Sequence, residues 1–598
     1  MTFFRRLEDL IASAALLALV VLPLLEIAVR RLAGVGVPGS GPFVQHLTLW
    51  VGFLGAALAA RERKLLALAT GTLIPPGRWR DTATAVSSTV AASVATILAM
   101  AAVELVTSER EAATTIAAGV PVWVGQLVLP VAYALIAGRL AWQAGGRGAR
   151  GAALAGVALG YWIGGHPLLL EGRAAWPWVS LVVGAGLLGA PIFTVLGGAA
   201  AFLFMADGIT PAILAIETYG LSVSPTLPAI PLFTLAGFLL AEGLASQRLL
   251  RLFRAGFGWI PGGTAVVCAA LCTFFTVFTG GSGVTILALG GLLFPALQKE
   301  GYRDRFSLGL LTASGSLGLL LPPALPLILF GIVAEIPIEN LFIGGLLPGV
   351  LLTTLIAGWG VREGIVTGAG RQPFALGEVW SALWEAKWEV AMPAVVLVAI
   401  FSGWATLVEA SALTALYALV VQVVVHGDLS IRRDLLRVVT ECVTLVGGVL
   451  IILGVAVGLT SYMVDAQIPM RLVAWAQESI TSPFVFLLAL NVFLLIVGGL
   501  MDIFSAIVVV VPLILPLGQA FGIHPVHLGI IFIANLELGY LTPPVGLNLF
   551  LASYRFKRPL LEVSVAALPM LGILGVGVLL ITYVPWLTLA ILDALGRL

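Results

Sequence analysis

Residues 295–323 read PALQKEGYRDRFSLGLLTASGSLGLLLPP, and residues 516–544 read PLGQAFGIHPVHLGIIFIANLELGYLTPP. The two stretches carry one pattern. Pro295 matches Pro516, Gly301 matches Gly522, Gly318 matches Gly539, and Pro322-Pro323 matches Pro543-Pro544. The spacing is constant, since 516 − 295, 522 − 301, 539 − 318 and 543 − 322 all give 221. Pro lacks the helical N–H and Gly pays extra backbone entropy, so both interrupt helices. Interruptions at matched places in two apolar halves of one chain point to the binding region of a transporter built from repeats.

The surrounding composition names the solvent. Of 598 residues, 60% are hydrophobic and 10% charged, with a mean hydropathy of +1.09. A soluble domain carries about 25% charged residues. Many apolar runs reach the ~20 residues that cross a bilayer, and the alternation of a membrane β-barrel is absent. The expected fold is therefore an all-α polytopic membrane protein. A net charge of +1 leaves no footprint for nucleic acid. Cys268, Cys272 and Cys442 are expected as small buried residues. The five histidines, His46, His166, His426, His524 and His527, show no ligand spacing within a helix, and His524 and His527, flanking Pro525, are expected at a membrane edge. No resident cofactor or metal centre is expected.

Four helices are expected first, at roughly 10–29, 43–60, 84–106 and 121–142. The basic start MTFFRRLEDL followed by a long apolar run predicts a retained first span. GGRGARG at 145–151 is a basic, glycine-rich seam. Residues 1–144 are thus expected to form one four-helix unit, and 145–174 a linker with one extra transmembrane helix. Residues 175–598 would form a second unit with repeats at about 177–350 and 398–571. Arg5, Arg6, Arg147 and Arg150 place both ends of the four-helix unit on the cytoplasmic side. The offset of 221 pairs 226–243 with 447–464, and Arg248–Phe257 with the stretch around Pro469–Glu478. In RLLRLFRAGF, Arg248, Arg251 and Arg254 share one side, which predicts an amphipathic arm at the membrane surface.

Each repeat holds two interrupted stretches. In the first, Thr279-Gly280-Gly281-Ser282-Gly283 predicts the tip of a re-entrant hairpin, and Ser314, Ser316 and Gly318 predict a broken helix. In the second, the tip is Gly498 to Asp502 with Ser505, and the broken helix carries Asn535, Glu537, Gly539, Thr542 and, further on, Asn548. Irregular backbone at membrane depth occurs only against protein or a water-filled cavity. Helix N-termini there favour anions and free carbonyls favour cations. No Lys or Arg occurs in 255–298, 306–361 or 472–554. Helix N-termini and bound cations would then balance an anionic substrate. Oxygen ligands suit a hard cation, which favours sodium coupling over protons. Three acids lie in apolar context. Asp502 can cap the second hairpin helix or ligate a cation, Glu537 is a candidate for ion coupling, and Glu409 is expected to hold a helix break in place.

The segment GYRDRFSLGLLTASGSLGLLLPPALPLILFGIVAEIPIENLFIGGLLPG, from Gly301, resembles the large membrane subunit of tripartite ATP-independent periplasmic (TRAP) transporters. So does NVFLLIVGGLMDIFSAIVVVVPLILPLGQAFGIHPVHLGIIFIANLELGYLTPPVGLNLFLAS, from Asn491. WVGFLGAALAARERK and GVPVWVGQLVLPVAYALIAGRL, within the first 145 residues, resemble the small subunit. The resemblance implies a fused permease of the bacterial inner membrane, one chain per transporter, lying in lipid and working with a periplasmic substrate-binding protein. It implies import of a small carboxylate with two or more sodium ions by an elevator motion of inverted repeats. Carried over, the sodium ligands would include Ser282, Ser314, Asp502 and Thr542. Where many relatives have a Gly-Ser-Ser tip, this chain has Gly280-Gly281-Ser282-Gly283-Val284-Thr285, with one hydroxyl displaced. The alternative in the same architecture is an ion-coupled anion symporter that needs no binding protein. A membrane enzyme would need a polar catalytic cluster, and none is apparent.

Overall fold

Where the sequence runs apolar for the width of a bilayer, the chain is helical. The computed structural model describes all residues except 1, 69–73, 75–76, 371–372, 481 and 544–545, with the side chains of 2–4 and 284 also undescribed. Pro544, the last of the matched prolines, lies outside the described residues. Among the described residues there are helices and two isolated bridges but no strand, and ten helices are long and apolar enough to cross a membrane. The expected first four are present as Thr2–Ala33, Ser40–Arg61, Arg78–Ala112 and a span over Val122–Trp142. The linker forms the helix Arg147–Gly164, which is not among those ten. It packs along Arg78–Ala112, where a Cβ on Gly156 would lie 2.5 Å from the Thr89 carbonyl.

The chain divides into two compact units. One comprises residues 1–232 and 432–469. In it Ser40–Arg61 crosses the helix Leu436–Asp465 so closely that a Cβ on Gly447 would sit 2.5 Å from the Gly55 Cα. Small residues permit such crossings where lipid gives helices no hydrophobic reason to associate. The other unit comprises 233–431 and 470–598 and carries both hairpins and both broken helices.

The offset of 221 reappears in the element bounds. Ser282–Lys299 is followed 221 positions on by Ile503–Ala520, bound for bound. Gly263–Thr279 corresponds to Pro483–Leu500, and Asp304–Ser314 to Pro525–Gly539, which starts in register and runs further. Leu325–Val333 corresponds to Leu547–Phe556 and Ile338–Thr367 to Leu560–Tyr583, each within a residue or two at its start.

The arm differs from its expectation. Ala245–Phe257 is a helix, but its arginines do not form a free basic face. Arg248 is buried and bonds Glu389 at 2.7 Å and Asp428 at 2.8 Å. Arg251 pairs with Glu378 at 2.9 Å and with Glu385. The acids come from Leu376–Phe401 and from the turn after Leu407–Val425, elements distant in sequence, so the charges of Arg248 and Arg251 are neutralised by protein, while Arg254 has no acidic partner among the described residues. Glu409 behaves as expected. Its carboxylate accepts from the Thr406 N–H at 2.9 Å while its own N–H donates to Thr406 Oγ1 at 3.3 Å, capping Leu407–Val420.

Breaking a buried ion pair from one side strands the partner charge. Arg248→Met is expected to cost about 3–5 kcal/mol, seen as a lower thermal midpoint in detergent. Burial raises the Asp428 carboxyl, but the Arg248 guanidinium and the Leu244 N–H outweigh it and hold the group below its ordinary value. Its contribution is therefore complete above an unfolded value of about 3.9 and lost as pH falls through the lower folded value. The thermal midpoint is expected to drop through that acid window, and Asp428→Asn to flatten the drop.

Candidate functional site

The first hairpin turns in two residues. Gly280 takes φ +60, the left-handed region where glycine is strain-free, and its N–H closes the helix on the Thr276 carbonyl at 2.9 Å. Gly281 is extended, and Ser282 opens the next helix with no side-chain cap. Behind the turn, Thr276 Oγ1 lies 2.8 Å from Thr285 Oγ1 and 2.9 Å from the Gly315 carbonyl, where the first broken helix stops. Thr279 Oγ1 lies 3.3 Å from Thr285 Oγ1. The chain then runs irregularly from Gly315 to Ala324 before Leu325–Val333 resumes. Ser282 Oγ and Ser314 Oγ are buried and have no hydrogen-bond partner among the described residues.

The second hairpin is closed differently. Asp502 Oδ2 accepts from the N–H groups of Phe504 at 3.0 Å and Ser505 at 3.1 Å, and Oδ1 accepts from Ser505 Oγ at 2.5 Å. A carboxylate thus caps Ile503–Ala520. The Ile503 N–H donates to the Tyr540 hydroxyl at 2.8 Å, tying the hairpin to the second break, and the Gly546 N–H donates to the Gly499 carbonyl at 3.3 Å. Asn535 Nδ2 donates to Asn491 Oδ1 at 2.6 Å and to the Ile531 carbonyl at 2.8 Å. Thr542 Oγ1 donates to the Leu538 carbonyl at 3.1 Å.

The matched glycines do the same work twice. A Cβ on Gly318 would lie 2.7 Å from the Val277 nitrogen, and one on Gly539 would lie 2.6 Å from the Gly498 Cα. Val277 and Gly498 are themselves 221 apart, so each broken helix touches the first helix of its own hairpin at the same point.

The two halves also cross over. Asn548 follows the second break, yet its Nδ2 donates to the Thr312 carbonyl at 3.1 Å and to Ser316 Oγ at 3.4 Å in the first. Among the described residues its Oδ1 is buried without a side-chain or backbone donor, and Glu537, also buried, has only the Leu320 backbone of the first break beside its carboxylate.

The structure therefore brings Thr279, Gly280, Gly281, Ser282, Ser314, Ser316 and Gly318 together, and separately Gly498, Asp502, Ser505, Asn535, Gly539 and Thr542. Gly283 faces Leu551 of the helix that carries Asn548. Asn548 joins the first group, not the second. Sequence reasoning missed Thr276, Asn491 and Tyr540, and noted Thr285 only as a displaced hydroxyl. Thr276 and Asn491 lie away from the interruptions, where only a count of polar groups on the flanking helices would have singled them out, and Tyr540 directly follows Gly539 in the second break. His527 departs from its expected place at a membrane edge. It is buried, with Nδ1 3.1 Å from Thr588 Oγ1 and Nε2 3.3 Å from the Thr582 carbonyl. The three cysteines are free and buried.

Residues 179–587 match the family model described as "Tripartite ATP-independent periplasmic transporter, DctM component", and residues 19–146 match "Tripartite ATP-independent periplasmic transporters, DctQ component". The isethionate TRAP transporter permease protein DctMQ of Oleidesulfovibrio alaskensis is 34% identical over 414 residues, 67% of this chain and 63% of that protein. The C4-dicarboxylate TRAP transporter large permease protein DctM of Pseudomonas aeruginosa is 33% identical over 404 residues, 67% of this chain and 93% of that protein. The ectoine TRAP transporter large permease protein TeaC of Halomonas elongata is 32% identical over 425 residues, 70% of this chain and 99% of that protein.

The cap at Asp502 can be tested by itself. Asp502→Ala is expected to lose about 0.5–2 kcal/mol and to speed hydrogen exchange at 503–506. Asp502→Asn, which keeps an acceptor oxygen, is expected to hold most of that protection.

Proposed function

This chain belongs to the tripartite ATP-independent periplasmic transporter family, with both membrane components in one polypeptide, and from that premise we propose that it imports a small organic acid together with sodium. It is a multi-pass membrane permease and not an enzyme. The substrate, a carboxylate, is delivered by a periplasmic binding protein and crosses the bacterial inner membrane. Two or more sodium ions enter with it. The unit holding the hairpins and broken helices carries them across in an elevator motion of inverted repeats.

One observation supports the coupling ion most directly. Glu537 is 1% exposed with only the Leu320 backbone beside its carboxylate, and Ser282 Oγ, Ser314 Oγ and Asn548 Oδ1 are buried around the first break with no hydrogen-bond partner among the described residues. Buried polar atoms are ordinarily satisfied, and an unpaired buried charge is costly. No Lys or Arg is available in 255–298, 306–361 or 472–554 to supply the missing positive charge. Oxygen-only surroundings of this kind suit a hard alkali cation. The substrate's anionic group is assigned to the start of Ser282–Lys299, which has no side-chain cap, whereas the matched helix start already holds the Asp502 carboxylate. The relatives' names range over isethionate, C4-dicarboxylates and ectoine, so the permease architecture by itself leaves the choice of acid to the binding protein.

Uptake into proteoliposomes is expected to require both an inward sodium gradient and substrate-loaded binding protein. Uptake without any binding protein would instead establish a self-sufficient anion symporter. Ser282→Ala and Asp502→Ala are each expected to raise the half-saturating sodium concentration by about tenfold, as loss of one buried ligand of 1–3 kcal/mol implies. Unchanged sodium curves in both variants would remove these residues from the cation sites.

A further inference from the structure

We infer that Asn491, in the first helix of the second hairpin, fixes the side-chain amide of Asn535 so that only its carbonyl oxygen is left for a ligand, which makes the second break selective for a cation over an anion. This rests on the sodium reading above.

The hydrogen bonds determine each amide in turn. Asn491 Nδ2 donates to the Leu487 carbonyl at 2.7 Å, one turn back on its own helix. Turned round, Asn491 would set its Oδ1 against that carbonyl, acceptor to acceptor. Its Oδ1 therefore faces Asn535, and the atom it meets there at 2.6 Å must be a donor, Nδ2. Thr582 Oγ1 lies 3.1 Å from the same Oδ1 and 2.8 Å from the Val578 carbonyl, so its single hydrogen is shared between the two and Asn535 Nδ2 is the main donor to Asn491. Asn535 Nδ2 also lies 2.8 Å from the Ile531 carbonyl. A primary amide has two N–H donors and one carbonyl, so both hydrogens of Asn535 are committed to protein. Its Oδ1 accepts no bond from the described residues. Asn535 is 1% exposed and Asn491 7%, so water does not readily compete for these groups.

The consequence is a sign. Ser314, 221 positions upstream of Asn535, offers a buried hydroxyl that can donate or accept. Asn535 can only accept, and a carbonyl oxygen suits a hard cation and repels an anion. The position matching Asn491 is Ala270, so the first repeat has no such device. Asn491 itself is a positioning residue. It acts by denying Asn535 the rotation that would present its N–H groups.

The test is sodium-dependent uptake by the full chain with its binding protein in proteoliposomes. If wild-type uptake is indifferent to sodium, the sodium reading fails before Asn491 is put to the test. Given sodium dependence, Asn491→Leu is expected to raise the half-saturating sodium concentration about tenfold, the worth of one buried hydrogen bond, while the maximal rate at saturating sodium changes little. Asn491→Asp keeps an oxygen facing Asn535 and, protonated in this buried place, still donates to the Leu487 carbonyl, so it is expected to recover most of the shift. The double variant Asn491→Leu/Asn535→Leu is expected to be no worse than Asn535→Leu alone, since the two act as one unit. Should the leucine variant not fold, Asn491→Ala removes the same acceptor without adding bulk and carries the same expectation. A sodium curve that does not move, or shifts that multiply in the double variant, would overturn the assignment and leave Asn491 a packing residue.

Discussion

A helix that stops inside a bilayer leaves N–H and C=O groups that hydrocarbon cannot satisfy. The unit carrying the hairpins is organised around that constraint at two helix breaks. Close approach handles part of it. Gly318 and Gly539 bring each broken helix onto the backbone of its own hairpin, which shuts lipid out of the break. Side chains handle more. Thr276 reaches the Gly315 carbonyl, Tyr540 takes the Ile503 N–H, and Asn548 crosses from the second break to the Thr312 carbonyl in the first. Among the described residues, the side-chain oxygens of Ser282, Ser314 and Asn548 stay buried beside the breaks without a partner.

The two breaks share a backbone plan and differ in chemistry. The second hairpin helix begins with a built-in anion, Asp502, at the end where the helix dipole favours negative charge. The first begins after Gly281 with no side-chain cap. Around the first break the polar side chains are mostly hydroxyls, from Thr276, Thr279, Ser282, Thr285, Ser314 and Ser316. Around the second, amides and carboxyls from Asn491, Asn535, Asp502 and Glu537 join the hydroxyls of Ser505, Tyr540 and Thr542. Asn548 and Glu537 reach from the second half to the first. Anything that reorders one break therefore acts on the backbone that shapes the other.

The interruptions were legible in the sequence because Gly and Pro act locally. Their effect on a helix needs no partner, so matched positions alone gave both hairpins, both broken helices and the register between them. Partnered features were not legible in that way. The arginines of the arm read as the polar side of a membrane-surface helix because Glu389 and Asp428, which neutralise Arg248, lie more than a hundred residues away in sequence. His527 looked like an edge residue because Thr582 and Thr588, which bury and bond it, belong to other helices. Asn491 sits in a smooth apolar run, and its significance exists only once Asn535 is beside it.

The same local logic explains where the repeats stop resembling one another. Ala212–Ser222 and Ala229–Glu242 are separate helices, parted by a stretch containing Pro225 and Pro228. Moved on by 221, those prolines become Val446 and Val449, and the chain there runs unbroken as Leu436–Asp465. Without those two helix breakers the second repeat has one long helix, and its Gly447 lies between the two valines. This is the glycine that meets Gly55 of the N-terminal four-helix segment, backbone to backbone. Gly454 and Gly458 of the same helix pack against Thr218 and Leu214 of the first repeat's short helix. The departure from symmetry thus falls where the fused segment docks, while the symmetry is kept from Gly263 onward, where the breaks must hold their shape.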